Sequence, residues 1–175
     1  FPRKILFPFA GLAMVEHVRR RALMANGIDD VIVATCDDEI KEVVEAFGGN
    51  VIMTSSSHQR ASDRVAEAAE GLYAEIVVMV QGDEPLIDPA HIDTVVREHS
   101  RHPDWDILIP SLPITKPENL HVVKVVHDSK FRISYLSRAV IPQPFRHRPS
   151  YYLKHLSIIS FKPAALKKFA ELPIG

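Results

Sequence analysis

Two adjacent carboxylates directly follow one of the most apolar segments of the chain. Asp83 and Glu84 come after residues 76–80, an apolar run without polar alternation that is typical of a fully buried strand. Gly82 permits close approach of a ligand, and Pro85 stops both strand and helix. Open α/β sheets bind ligands at the carboxyl ends of their strands, where Asp83 could hold Mg²⁺. A solvated acidic turn explains the same residues.

Basic and polar side chains supply candidates for an anionic ligand. Lys4 precedes the first predicted helix in a proline-bounded segment, where it could reach phosphates, although an ordinary surface lysine is the simpler interpretation. Ser62 or Asp63 could cap the third predicted helix, which begins near residue 62. Arg64 opposes the dipole at that helix start, which suggests an anion or a base as its partner, or an ion pair with Asp63 or Glu67.

Two further candidates lie in the last third of the chain. Arg138 follows a predicted hairpin, where its forked donor could bind a carboxylate. His155 lies inside an apolar strand, on the face opposite to its neighbour Lys154. The chain has no Walker-type phosphate loop, dinucleotide fingerprint, nucleophile elbow or zinc-protease motif. Cys36 has no adjacent base, so a nucleophilic hydrolase is disfavoured.

The predicted elements alternate between strands and helices as far as residue 109. Apolar runs at residues 30–35, 50–54, 76–81 and 106–109 predict strands, and helical periodicity separates them. Such alternation with short connections favours right-handed crossovers and a mostly parallel central sheet.

The pattern changes in the last third of the chain. Residues 122–136 predict a hairpin around Asp128, residues 151–161 form a long β-rich run, and Pro163 begins a last helix. These additions are antiparallel in character. We therefore expect one mixed α/β domain over residues 1–175.

Composition limits the class of protein. The 175 residues are 46% hydrophobic and 25% charged, with a net charge of −1, as in a soluble globular domain. This charge predicts neither nucleic acid nor a membrane surface as a partner. The single cysteine excludes an intrachain disulfide and suits a reducing compartment. No apolar run has membrane-spanning length, and no signal-peptide pattern is present.

The order of several motifs resembles the CMP-KDO synthetase family, the 3-deoxy-manno-octulosonate cytidylyltransferases. These motifs include Phe-Pro-Arg-Lys-Ile-Leu at the start, Phe-Gly-Gly-x-Val-x-Met-Thr, Ser-Asp-Arg-Val-Ala-Glu, Val-Gln-Gly-Asp-Glu-Pro-Leu, Val-Val-Lys-Val-Val and Ser-Arg-x-x-Ile-Pro. The resemblance runs through nearly the whole chain. It implies a Rossmann-like nucleotidyltransferase fold and a cytoplasmic, Mg²⁺-dependent homodimer that acts on CTP and a sugar acid for lipopolysaccharide or capsule biosynthesis.

The resemblance also implies roles for individual residues. Lys4 matches a lysine that contacts CTP phosphates, and Asp83 matches a metal-binding aspartate, so both are candidate catalytic residues. The remaining candidates match the nucleotide pocket, at Ser62, Asp63, Arg64 and Gln81, or the sugar side, at Arg138 and His155.

This sequence departs from the family pattern at several positions. Arg3 and Leu12 stand where the family commonly has Gly and Lys, and Ser157 and Ile159 replace a glycine and an aromatic residue. The resemblance further implies that the family's N-terminal strand and phosphate loop, and a later metal-binding aspartate, lie outside residues 1–175. The alternatives that stay open are another acceptor, either a nonulosonic acid or a sugar phosphate, and a non-catalytic nucleotide-binding module.

Overall fold

The computed structural model describes residues 3–143 and 145–173. The helices are a short 3₁₀ helix at Lys4–Leu6 and the α-helices α1 (Met14–Ala22), α2 (Asp38–Ala46), α3 (Ala61–Ala69), α4 (Pro89–Arg101) and α5 (Pro163–Ala170). The strands are β1 (Pro8–Phe9), β2 (Leu12–Ala13), β3 (Ile32–Thr35), β4 (Asn50–Met53), β5 (Val77–Val80), β6 (Ile107–Leu108), β7 (Ser111–Ile114), β8 (Lys124–His127), β9 (Ile133–Ser137), β10 (Tyr152–His155) and β11 (Ile158–Phe161).

The chain divides into two compact units. The first runs to Leu108 and resumes at Ile158, and the second is Ile109–Ser157. The single domain expected from the sequence stays a prediction, because two compact units can belong to one domain. Among the described residues, no helix combines the length and the apolar character needed to cross a membrane.

Local sequence signals account for the ends of two helices of the first unit. Asp37 caps α2 by accepting a hydrogen bond from the Glu39 amide at 3.0 Å. Gly48 follows that helix with φ of 70°, the left-handed conformation that glycine adopts without a steric penalty. Asp88 caps α4 in the same way, with Pro89 in the first turn.

The sheets of the first unit differ from the expected parallel arrangement. The mixed α/β class is confirmed, but among the described residues only β3 and β4 pair in parallel. The strand β11 lies between β5 and β6 and is antiparallel to both. The physical reason is that β11, which comes late in the sequence, lies between β5 and β6. It occupies the position that a parallel strand reached by a helical crossover would have filled.

The second unit is a four-stranded antiparallel sheet in the order β7-β10-β8-β9. The predicted hairpin is confirmed as β8 and β9, whose turn is closed by Asp128. One carboxylate oxygen of Asp128 accepts from the amides of Lys130 and Arg132 at 2.8 and 3.0 Å. The β-rich run over residues 151–161 is two strands, because the chain leaves the second unit after Ser157.

A buried ion pair lies in α1 of the first unit. The Glu16 carboxylate is fully buried and accepts hydrogen bonds from Arg19 Nε and Nη2 at 2.7 and 2.8 Å and from Arg20 Nε at 2.7 Å. Position 49 must be glycine for this packing, because a Cβ there would lie 2.8 Å from Arg19 Nε and 2.5 Å from Val44 Cγ1. The cluster therefore ties α1 to the segment that follows α2.

We expect Glu16→Gln to lower the free energy of unfolding by about 3–5 kcal/mol at pH 7, since the variant leaves Arg19 buried without its charge partner. Burial alone would raise the pKa of Glu16, but the hydrogen bonds and charges of Arg19 and Arg20 outweigh it and lower the pKa. A lowered pKa stabilises the fold above the ordinary glutamate value of about 4.3, and this contribution is lost as the pH falls through the folded-state pKa.

Urea unfolding between pH 3 and pH 7 measures both effects. The difference between wild type and Glu16→Gln should shrink below about pH 4. Glu98→Gln is the matched control, since Glu98 pairs with Arg97 and Arg101 at the surface, and it should cost less than about 1 kcal/mol. Equal losses of unfolding free energy in the two variants would contradict the assignment of Glu16 and Arg19 as a buried ion pair.

Candidate active site

The segment after β5 forms the centre of the candidate site. Backbone pairing places Val80 opposite Ile158 of β11, which fixes where the strand ends. Two successive turns follow, in which the Glu84 amide donates to the Gln81 carbonyl at 3.2 Å and the Ile87 amide donates to the Glu84 carbonyl at 3.0 Å. The turns hold Gln81 and Asp83 at the carboxyl end of a strand, as the sequence predicts.

Lys4 and Asp83 are brought together although they lie far apart in sequence. Lys4 Nζ donates to Asp83 Oδ2 at 2.5 Å, and the two side chains are 49% and 37% exposed. The neighbouring Ile5 and Leu6 anchor the 3₁₀ helix by packing against the core cluster of Val15, Ile40 and Val44. A lysine at this strand end can bind the phosphates of a ligand directly, and a carboxylate beside it can bind them only through a metal ion.

Arg64 is positioned by the end of β4. Its Nη1 donates to Thr54 Oγ1 at 2.5 Å and to the Ser55 carbonyl at 3.3 Å. Thr54 is buried, and its hydroxyl also donates to the Thr35 carbonyl at 3.1 Å. The alternative of an ion pair between Arg64 and Asp63 is not found, because Asp63 accepts from Arg60 Nε instead.

Asp63 takes part in a different contact, and Ser62 Oγ donates to Asp63 Oδ1 at 3.5 Å. The helix α3 begins after Arg60 without a side-chain cap, so neither residue caps it. Arg60 binds the Asp63 carboxylate and donates from Nη2 to the carbonyls of Ala170 and Leu172 at 3.1 and 3.0 Å. These contacts link α3 to the end of α5, and a nucleotide-binding role for Ser62 and Asp63 stays a prediction.

A cavity of about 1080 Å³ in the first unit joins several of the predicted residues. Its polar lining includes Thr35, Arg64, Gln81 and Asp83, and its apolar lining comes mainly from β3, β5, α1 and α3. Ser62 and Asp63 do not line it. This volume reaches the upper end of the range of about 300–1,000 Å³ that is usual for ligand pockets, so the cavity is large enough for a nucleotide.

The two sugar-side candidates lie in the second unit. Arg138 follows β9, is exposed, and donates from Nη1 to the carbonyls of Leu120 and His121 at 3.2 and 3.1 Å. His155 ends β10, is half-buried, and donates its amide to the Val123 carbonyl at 2.8 Å. Both side chains stay predictions for acceptor binding.

Sequence reasoning missed Thr54, the residue that holds Arg64. Two signals were available: its place at the end of an apolar strand, directly before a polar loop, and its position as the last residue of the Phe-Gly-Gly-x-Val-x-Met-Thr motif. A buried threonine at a strand end has many structural explanations, so its hydrogen bond to Arg64 could be found only from the coordinates.

The fold and the Lys4–Asp83 pair define an α/β protein that can receive a phosphorylated ligand at a strand end. A profile of the family described as Cytidylyltransferase matches residues 1–174. The chain therefore belongs to the cytidylyltransferase family, as its motifs indicated.

Individual relatives agree with this assignment. The 8-amino-3,8-dideoxy-manno-octulosonate cytidylyltransferases of Shewanella piezotolerans and Shewanella woodyi are each 40% identical over 184 residues, covering 100% of this chain and 74% of each relative. A solved structure described as CMP:2-keto-3-deoxy-manno-octonic acid synthetase complexed with CTP aligns with a TM-score of 0.92 at 33% identity, covering 100% of this chain and 73% of that one.

A more distant structure shares the fold alone. It is a cytidylyltransferase from Leptospira borgpetersenii, with a TM-score of 0.65 at 19% identity, and the alignment covers 100% of this chain and 60% of that chain. The fold is thus retained at low sequence identity.

We expect Thr54→Val to weaken nucleotide binding about tenfold or more, since a hydrogen bond to a charged group contributes about 1.5–3 kcal/mol. The reason is that Arg64 loses its shortest contact while the volume of the side chain is kept. Calorimetric titration with CTP measures the change. Thr94→Val, at an exposed threonine whose hydroxyl bonds only within α4, is the control. An unchanged affinity for Thr54→Val would mean that Arg64 needs no such support.

Proposed function

We propose that this protein transfers CMP from CTP to the anomeric hydroxyl of 3-deoxy-manno-octulosonate (KDO) or a close sugar-acid analogue, with release of pyrophosphate. The relatives that support this act, by their names, on KDO itself or on its 8-amino derivative. The observation that carries the proposal is the pairing of Lys4 with Asp83 at the end of β5, beside a cavity of nucleotide size. The activated sugar would serve lipopolysaccharide or capsule biosynthesis.

The reaction needs positioning and charge neutralisation more than covalent catalysis. The anomeric oxygen forms a bond to the α-phosphorus, the bond from that phosphorus to the pyrophosphate oxygen breaks, and the hydroxyl proton is released. In this proposal Lys4 and Arg64 bind the phosphates, and Gln81 contacts the nucleotide. Arg138 and His155 bind the acceptor. The Arg138 guanidinium binds the carboxylate of the sugar acid.

Asp83 is the proposed ligand for Mg²⁺. Its carboxylate is partly exposed and already engages a cation, the Lys4 ammonium. Within the described residues no group of three or more histidine, cysteine or acidic side chains could enclose a metal. A single carboxylate can serve Mg²⁺, which usually takes one or two carboxylates and completes its shell with water and substrate phosphates. When bound, the ion would supply charge neutralisation on the phosphates.

Pyrophosphate release tests the function directly. The protein is assayed with Mg²⁺, each of the four nucleoside triphosphates, and a panel of KDO, its 8-amino derivative, a nonulosonic acid and a sugar phosphate. Release with CTP and a KDO-type acid supports the proposal. Release only with another acceptor would keep the nucleotide chemistry and overturn the acceptor assignment. No release from folded protein would favour the nucleotide-binding module.

We expect Asp83→Asn to lower kcat at least about a hundredfold, because a neutral amide cannot balance the charge of the metal. Binding of Mn²⁺ in the presence of CTP, followed by electron paramagnetic resonance, should weaken in parallel. Asp104→Asn, at an exposed turn of the same unit, should leave both properties unchanged. Wild-type turnover by Asp83→Asn would contradict the metal-binding role.

The second unit is the proposed surface of a homodimer. The edge strand β9 has one paired neighbour among the described strands, and it carries Ile133, Tyr135 and Leu136 at 40%, 63% and 39% exposure on its two faces. Exposed apolar side chains on an unpaired edge are a common interaction surface. Sedimentation of the wild type should give a dimer and that of Tyr135→Arg a larger monomer fraction. A monomeric wild type would exclude this assembly.

A further inference from the structure

The most completely buried cation of the second unit plays no part in the mechanism above. Lys124 begins β8 and has no exposed surface. Its ammonium donates to the backbone carbonyls of Asn119 and Val122 at 3.0 and 2.8 Å and to the carbonyl of Arg138. No carboxylate of the described residues forms an ion pair with it. A buried charge requires compensation, and here three peptide dipoles supply it.

Arg138 binds two backbone carbonyls that lie between those bound by Lys124. The segment 119–122 is a turn, closed by the Val122 amide to the Asn119 carbonyl at 3.2 Å and by the His121 amide to Asn119 Oδ1 at 2.9 Å. Its inner carbonyls, those of Leu120 and His121, accept from Arg138 Nη1. Four consecutive carbonyls are therefore bound by two cations, and Lys124 also holds the backbone of Arg138.

We propose that Lys124 is a positioning residue for acceptor binding and acts through Arg138. The inference rests on the proposed function, since it takes Arg138 as the partner of the acceptor carboxylate. Lys124 fixes both the turn that receives Arg138 Nη1 and the backbone from which the Arg138 side chain extends.

The geometry shows how such a role would work. Both hydrogen bonds from Arg138 to the turn come from Nη1. The turn therefore does not bind the Nε–Nη2 edge of the guanidinium. That edge provides the two parallel donors that bind a carboxylate in bidentate fashion. Holding one corner of the guanidinium fixes the plane of the fork and reduces the conformational entropy lost when the acceptor binds.

Lys124→Met is the principal test, because methionine keeps most of the volume and removes the ammonium. We expect the acceptor KM to rise about tenfold or more and the KM for CTP to stay within about twofold. Lys130→Met is the matched control, at an exposed lysine in the β8–β9 turn of the same unit. An unchanged acceptor KM in a folded Lys124→Met protein would overturn the proposal.

A double-mutant cycle with Arg138→Ala separates positioning from general loss of structure. If Lys124 acts through Arg138, Lys124→Met should add almost nothing to the acceptor KM of Arg138→Ala. Additive effects would overturn the proposal. Should Lys124→Met fail to fold, Asn119→Ala loosens the same turn without touching the buried ammonium, and it should raise the acceptor KM selectively. No change in that variant would count against the proposal.

Hydrogen exchange distinguishes failure of this inference from failure of the proposed function. The amides of residues 119–122 should exchange faster in Lys124→Met than in wild type, which requires no substrate. If exchange is faster in Lys124→Met but the wild type is inactive, the proposed function is overturned while the contacts of Lys124 are supported. Normal turnover by wild type with unchanged exchange in Lys124→Met would overturn the positioning role alone.

Discussion

The backbone pairing between β11 and β5 is the constraint on which the candidate site depends. Residues 158–161 run antiparallel to residues 77–80, and this register fixes where β5 stops and where Gln81 turns away. The partner strand comes from the far end of the sequence, next to α5. Phe161 and Leu166 from that end pack with Met79 in one core cluster. The position of Asp83 therefore follows from contacts made about eighty residues later in the chain.

Two of the carboxylate–cation pairs of the first unit have different physical roles. Glu16 and Arg19 are buried, so separating them would leave charge in a medium that cannot solvate it. Lys4 and Asp83 are exposed to water on a short 3₁₀ helix and a turn, where an ion pair is worth only about 0–1 kcal/mol. The first pair is part of the fold. The second costs little to separate, so both groups are available to other charged partners.

The elements of the fold could be predicted well from local signals. The hairpin at Asp128 is found where the sequence predicts it, and the Asp37 and Asp88 caps and the glycine after α2 are likewise short-range features. Strand pairing could not be predicted in the same way. Alternation of strands and helices suggested a parallel sheet, but the apolar run ending at Phe161 gave no sign that half of it would return between β5 and β6.

The site shows the same division between local and long-range information. Asp83 and Gln81 could be located from a strand followed by Gly and Pro. Three contacts depend on side-chain geometry. Asp83 pairs with Lys4, Thr54 accepts a hydrogen bond from Arg64, and Asp63 binds Arg60. Sequence spacing does not encode such geometry. The motif resemblance identified the family, and the contacts explain which of its residues are held in place and by what.

The late return of β11 also sets the order in which the protein can fold during synthesis. β5 and β6 are complete long before residues 158–161, yet each pairs with that strand and not with the other. The whole of the second unit is synthesised in the interval, and its four strands pair only among themselves. On the ribosome this unit can therefore form its sheet first, although most of the first unit precedes it in the sequence. The sheet that ends at Asp83 closes only after residues 158–161 have been made.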